Sequence, residues 1–243
     1  MIRIENLVKS YGSSALAVDG LSLTVGAGEI LGLVGPNGAG KTTTLRCLAG
    51  ILPPTSGRIE IGGRDLQAEP VEARRRLAFV PDEPRLFENL TVMDHLRVVG
   101  RLYGVTDTPE RAADLLARFE LADRRDAFPS ELSRGMKQKL MIALALLHRP
   151  EALVLDEPLT GLDPGAMRRM KRTVLEQAEA GASVIVSSHL LHLVQEICGR
   201  IAILRNGRKV AEGTLEEIRA SLPDLGADAD LEEVFLRATE GDG

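Results

Sequence analysis

One octapeptide limits what this chain can fold into more than any other feature: Gly35-Pro36-Asn37-Gly38-Ala39-Gly40-Lys41-Thr42. It satisfies the pattern G-x-x-x-x-G-K-[ST] without deviation. Glycines at these spacings let backbone N–H groups turn inward and approach an anion closely. The apolar stretch 29–34 reads as a strand running into the loop. Residues 41–49 have helical spacing, ended by Gly50 and the Pro53-Pro54 pair. A helix starting there presents its positive end to phosphate oxygens. Lys41 is then placed to bridge β- and γ-phosphates, and the Thr42 hydroxyl to ligate Mg²⁺. An accidental match is expected about 0.01 times in a chain of this length and average composition. The flanking strand and helix make accident a poor account.

A second apolar run, Leu153-Val154-Leu155, delivers two adjacent carboxylates, Asp156 and Glu157. Alone, such an ending is more often a solvated strand terminus. Beside a phosphate cradle it has a chemistry: the first carboxylate holds Mg²⁺, usually through water, and the second polarises the attacking water.

The remaining pattern is α/β. Segments 2–8 and 21–25 read as strands joined through the turn Tyr11-Gly12-Ser13-Ser14, and 58–61 and 77–80 as short strands. From about 82 to 149 the character turns helical, with periodic stretches at 92–102, 109–119 and 135–148. Short apolar strands return at 152–155, 183–187 and 201–204. Strands that are apolar throughout belong to a sheet covered on both faces. The expected architecture is a mainly parallel core sheet, an N-terminal antiparallel β subdomain and an inserted α-helical subdomain. The expected division is 1–220 for the main domain, with the insertion at 82–149, and 221–243 for an acidic, helix-prone tail.

Bulk composition narrows the partners. The chain has 243 residues, ample for a buried core, and 44% are apolar. A net charge of −5 argues against nucleic acid as a partner. No apolar run approaches the roughly 20 residues that span a bilayer, and Met1-Ile2-Arg3-Ile4-Glu5 lacks the features of a signal peptide. The expected location is the cytoplasm, with any membrane contact made through another protein. Cys47 and Cys198 form no framework and read as small core residues.

The segment Leu132-Ser133-Arg134-Gly135-Met136-Lys137-Gln138 brings these features together. It resembles the signature loop of the ATP-binding cassette (ABC) ATPases, and the resemblance covers nearly the whole chain. That resemblance implies ATP and Mg²⁺ as cofactors, and ATP hydrolysis by a subunit that drives a separate transmembrane permease. It also implies a head-to-tail dimer of two copies, in which ATP lies between the phosphate loop of one and the signature loop of the other. The signature is then out of reach of its own chain's nucleotide. Residue by residue, Tyr11 matches the aromatic that stacks on adenine and Val18 the apolar residue beside it. Gly35, Asn37, Gly38, Ala39, Gly40, Lys41, Thr42 and Thr43 match the phosphate cradle. Ser133 and Gly135 match the signature contacts, and Leu162-Asp163 the loop crossing the dimer. Catalytic roles fall to Lys41, Glu157 and His189, the last matching a histidine that contacts the γ-phosphate.

Two positions depart from the family. Asp82 stands where glutamine is usual; it keeps a Mg²⁺ or water ligand but loses an amide donor. Arg134 and Met136 replace the common glycine and glutamine. The Met-Lys-Gln continuation and the tail Leu231-Glu232-Glu233-Val234-Phe235-Leu236 are similar to exporter-type members, particularly those acting on drugs, antibiotics or lipid-like molecules. The helical insertion, near Phe87 to Leu96, is expected to carry motion to the permease, a reading motivated by the apolar Leu86-Phe87 pair beside Asp82. A soluble, non-transport cassette and a regulatory cassette with little turnover are the alternatives. The Asn-Lys-x-Asp motif of a GTPase is absent from the sequence. For the tail, the sequence allows either a regulatory segment or part of the dimer interface.

Overall fold

The computed structural model describes residues 1–12, 15–222 and 229–240. Two sheets organise it. Strands β1 (Ile2–Ser10), β2 (Leu16–Val25), β4 (Ser56–Ile61) and β5 (Arg64–Asp65) form an antiparallel sheet ordered β2-β1-β4-β5. The alternating burial of β1 and β2 puts Ile2, Ile4, Leu21, Leu23 and Val25 on its inner face. The second sheet carries β3 (Ile30–Val34), β6 (Leu77–Val80), β7 (Ala152–Asp156), β8 (Ser183–Ser187), β9 (Arg200–Arg205) and β10 (Arg208–Gly213). Its order is β10-β9-β3-β8-β7-β6, parallel except for the β9–β10 hairpin. Every residue of β3, β7 and β8 is buried, as a sheet covered on both faces requires.

The expected strands are all present, and β1 and β2 run further towards each other than their apolar pattern suggested. Residues 13–14 of the expected turn between them lie outside the described residues. Strand β10 did not stand out in the sequence, because Arg208, Lys209 and Glu212 interrupt the alternation. Its turn is nonetheless written in Asn206 and Gly207, at φ 48° and 79°, a dipeptide suited to a tight hairpin.

Between β6 and β7 lie α3 (Val92–Tyr103), α4 (Thr108–Arg118) and α5 (Arg134–Leu146). Thr91 and Asp94 form a reciprocal capping box that starts α3, and Gly104, left-handed at φ 68°, ends it. Ser133 caps α5 by accepting the Met136 N–H at 3.2 Å. The three helices bury Val92, Leu96, Ala112, Leu116, Leu140 and Ala143 in one core, continuous with Leu153 and Leu155 of β7. Helices α1 (Lys41–Leu48), α2 (Pro70–Arg75), α6 (Pro164–Glu179), α7 (Leu191–Ile197), α8 (Leu215–Ser221) and α9 (Leu231–Glu240) complete the described chain. Part of the expected tail, 223–228 and 241–243, lies outside the described residues. Its helix α9 packs within its own chain: Leu231 and Val234 join Val194 of α7, Ile203 of β9 and Val34 of β3 in a third core cluster.

Candidate functional site

Parallel pairing brings four strand ends to one edge. Val80 pairs with Leu155, Asp156 with Ser187, and Leu33 with Ser187. The segments leaving β3, β6, β7 and β8 therefore open into one cleft, at the carboxyl ends of the strands. These segments carry the glycine loop, Asp82, Glu157 and His189, respectively.

The loop after β3 is held by close backbone approaches. Gly40 sits at φ 99°, and a Cβ built there would lie 2.4 Å from the Ala17 carbonyl oxygen. A Cβ on Gly35 would meet the Leu204 carbonyl oxygen at 2.5 Å and Ala39 Cβ at 2.9 Å. Both positions exclude a side chain, which explains the two glycines that bound the pattern. Lys41 Nζ donates to the Gly35 carbonyl at 2.5 Å and to that of Pro36 at 3.2 Å. Burial lowers the Lys41 ammonium's pKa, and the nearby charges of Glu157 and Asp156 oppose that shift.

The carboxylate pair is set by β7. Asp156 is 1% exposed. Its Oδ1 accepts the Ser187 hydroxyl at 2.5 Å, while its buried Oδ2 has no protein hydrogen-bond partner. Glu157 turns left-handed at φ 49°, an uncommon conformation for a residue with a side chain. Its backbone N–H donates to the Ser187 carbonyl at 3.1 Å, tying the turn to β8. His189 Nδ1 lies 2.8 Å from Glu157 Oε2.

A cleft of about 750 Å³ unites these groups. It is lined by Asn37, Gly38, Ala39, Gly40, Lys41, Thr42 and Thr43, and by Asp82, Asp156, Glu157 and His189, all expected from the sequence. Ala17, Thr160 and Arg134 also line it and were not expected. Arg134, at the start of α5, lines the outer part of this cleft beside Gly161. Ser133 and Gly135 flank it without lining the cleft, and the start of α5 lies close to the Gly161 carbonyl. Tyr11 is 59% exposed beside the cleft, with its hydroxyl 3.4 Å from Thr43 Oγ1. Val18 corrects an expectation. Its side chain is fully buried in the core between the sheets, and its neighbour Ala17 faces the cleft instead. The cause is strand alternation in β2, whose successive side chains point to opposite faces. Ser187, which holds both carboxylate residues, could have been noticed in the sequence from its place two residues before His189.

The comparisons agree with this geometry. The family described as ABC transporter matches residues 18–160. The ABC-type transporter ATP-binding protein EcsA of Bacillus subtilis (strain 168) is 36% identical over 244 residues, covering 100% of this chain and 98% of that protein. The daunorubicin/doxorubicin resistance ATP-binding protein DrrA of Streptomyces peucetius is 40% identical over 223 residues, 91% of this chain and 67% of that protein. Among solved structures, an ATP-binding subunit of an ABC transporter superposes with a TM-score of 0.93 at 35% identity, covering 98% of this chain and 99% of the other. A dimeric post-hydrolysis state of the cassette MJ0796, bound to ADP and Pi, superposes at 0.79 with 26% identity, over 88% and 99%. A phosphate-binding loop, a carboxylate pair and a histidine meet at one sheet edge, in a chain that shares its full length with such subunits. This chain belongs to the ABC transporter family, as an ATP-binding and ATP-hydrolysing subunit.

Proposed function

We propose that the chain powers export through a separate transmembrane permease, hydrolysing Mg²⁺-bound ATP held between two copies of itself. The observation that carries this reading is the 2.8 Å contact between Glu157 and His189 in the cleft they share with the phosphate loop. A carboxylate oriented by a histidine is suited to polarise water against a terminal phosphate. Lys41 binds phosphate oxygens and balances their charge. Tyr11 stacks on the base, with Ala17 beside it.

The residues suit a divalent cation. Asp156 Oδ2 is a buried carboxylate oxygen without a protein partner, the Thr42 hydroxyl lies in the same cleft, and Asp82 adds a third oxygen donor. Hard cations take such oxygen ligands together with substrate phosphates. When bound, Mg²⁺ neutralises phosphate charge. The residues that hold it are Thr42 and Asp156, with Asp82 in the position usually given to glutamine.

The sandwich reading is supported by the dimeric relative and by Ser133 and Gly135 at a capped helix start, positioned to serve the phosphates of a second copy. The export reading is supported by relatives named for drug resistance and Nod factor export. Among the described residues no helix is long and apolar enough to cross a membrane, so the membrane path belongs to a partner in this proposal. Phe87, 69% exposed beside the cleft loop, is the contact to that partner. The division into a cassette over 1–220, with its insertion at 82–149, and a tail over 221–243 is part of the same proposal. Such a subunit works in the cytoplasm, at the inner face of the membrane.

The experiment is phosphate release by purified protein together with its cognate permease. Turnover that requires Mg²⁺ and disappears in Lys41→Ala is expected. Turnover that survives Lys41→Ala, or none in the wild type, overturns the reading.

A further inference from the structure

Ser187 ends β8 and is fully buried between two strands that carry site residues. It pairs with Asp156 of β7 and with Leu33 of β3, the strand that leads into the phosphate loop. Buried hydroxyls mostly bond the main chain; this one gives its single proton to a carboxylate, Asp156 Oδ1, at 2.5 Å. Its oxygen also accepts the Glu157 backbone N–H at 3.2 Å. That second bond engages a lone pair and so turns the O–H towards Asp156. The other buried serines nearby do not do this. The Ser183 hydroxyl, at the opposite end of β8, has no partner among the described residues, and the Ser188 hydroxyl accepts the Leu190 N–H at 3.1 Å.

The two oxygens of Asp156 are thereby made unequal. Oδ1 is taken by Ser187, while Oδ2 is buried without a protein partner in the wall of the cleft. We propose that Ser187 is a positioning residue for the divalent cation: its hydroxyl fixes the Asp156 carboxylate so that Oδ2 is the oxygen offered to the metal. The proposal rests on the reading of Asp156 as a cation ligand. Groups that orient a metal-binding carboxylate from behind set metal affinity without touching the metal. Among the described residues the Ser187 hydroxyl bonds only Asp156 and Glu157, so nucleotide binding in the absence of a cation does not depend on it.

The test is Mn²⁺ binding to the full chain saturated with the non-hydrolysable β,γ-imido analogue of ATP, with free Mn²⁺ read by electron paramagnetic resonance. The variants are Ser187→Ala, the shape-matched pair Ser187→Thr and Ser187→Val, and Asp156→Asn. In Ser187→Ala the Mn²⁺ dissociation constant rises about tenfold or more, the scale of a lost orienting group. Affinity for the analogue in EDTA stays within about twofold, because the phosphate loop is untouched. Ser187→Thr, which keeps the hydroxyl, binds Mn²⁺ more tightly than Ser187→Val, although both add the same bulk. Wild-type Mn²⁺ affinity in Ser187→Ala overturns the proposal. So does equal Mn²⁺ affinity in Ser187→Thr and Ser187→Val, since the hydroxyl then has no part in it. An equal loss of Mn²⁺ and of the analogue in EDTA, with a lowered Tm, also overturns it, as a packing effect. If Asp156→Asn binds Mn²⁺ as the wild type does, the reading of Asp156 as a cation ligand has failed, and the proposal with it.

Discussion

His189 meets Glu157 twice: ring Nδ1 lies 2.8 Å from Oε2, and the His189 backbone N–H lies 3.3 Å from the same oxygen. With its proton on Nδ1, the imidazole holds one carboxylate oxygen in place through the side chain while the main chain holds it from behind. Among the described residues, the other oxygen, Oε1, accepts no hydrogen bond. This arrangement separates orienting the carboxylate from using it.

Glu157→Gln removes the charge proposed to polarise water and keeps the side chain's size. Hydrolysis should fall by about 10²- to 10⁴-fold, the usual contribution of a positioned base. ATP binding should persist, and the variant should accumulate as an ATP-bound dimer. Light scattering with ATP and Mg²⁺ checks this. A species that stays monomeric despite tight ATP binding counts against the sandwich.

Gly40→Ala places a methyl group 2.4 Å from the Ala17 carbonyl oxygen, on a backbone held at φ 99°. A Cβ in that region and a clash with main chain each cost on the order of 1–3 kcal/mol. Urea unfolding should show a loss of that size, with ATP binding weakened in parallel. Gly38→Ala is the control. Its φ of 80° is also strained, but nothing lies within 4 Å of the added carbon, so it should lose less stability.

Phe87 exposes 69% of its surface, while its backbone N–H donates to His95 Nε2 at 2.9 Å, so the ring is presented on an ordered loop. Exposed, preorganised aromatics are frequent anchors of interfaces. Phe87→Ala should leave the ATPase rate of the isolated chain within about twofold. It should weaken permease binding by roughly tenfold or more, the scale of a truncated anchor. Pull-down with the permease, beside the basal ATPase rate, checks both halves. Wild-type permease binding and transport in the variant would remove Phe87 from the coupling path.

Burial pushes the Cys198 thiol up to about 12. Its sulfur packs against β3, 3.2 Å from where a Cβ on Gly32 would stand. An acid whose folded pKa is raised releases its proton more readily when unfolded. Between about pH 9 and 12 the unfolded chain therefore binds fewer protons, and stability falls as pH rises. The urea midpoint should drop between pH 8 and 10.5, and less in Cys198→Ala than in the wild type. At pH 8 the thiol should resist iodoacetamide until the protein unfolds.

The cradle, the carboxylate pair and the apolar strands were legible in the sequence because each shows within one contiguous segment. Gly38 and Gly40 take left-handed φ values of 80° and 99°, and Lys41 folds back onto the Gly35 carbonyl, all within one loop, although the carbonyls of Ala17 and Leu204 that bar a side chain at Gly40 and Gly35 come from β2 and β9. Strands β3, β7 and β8 are apolar throughout because both faces of their sheet are covered. The hairpin strand β10 escaped notice because its charged residues hide the alternation, although Asn206-Gly207 marks its turn. Val18 and Ala17 show the limit most clearly. One step along a strand exchanges core for cleft, and only pairing with β1 and packing against the second sheet decide which residue faces which way. Arg134 is the same kind of case. Its identity was legible as a departure from the family, but its entry into the cleft of its own chain depends on how α5 lies against Gly161, a relation between segments distant in sequence that no local pattern encodes.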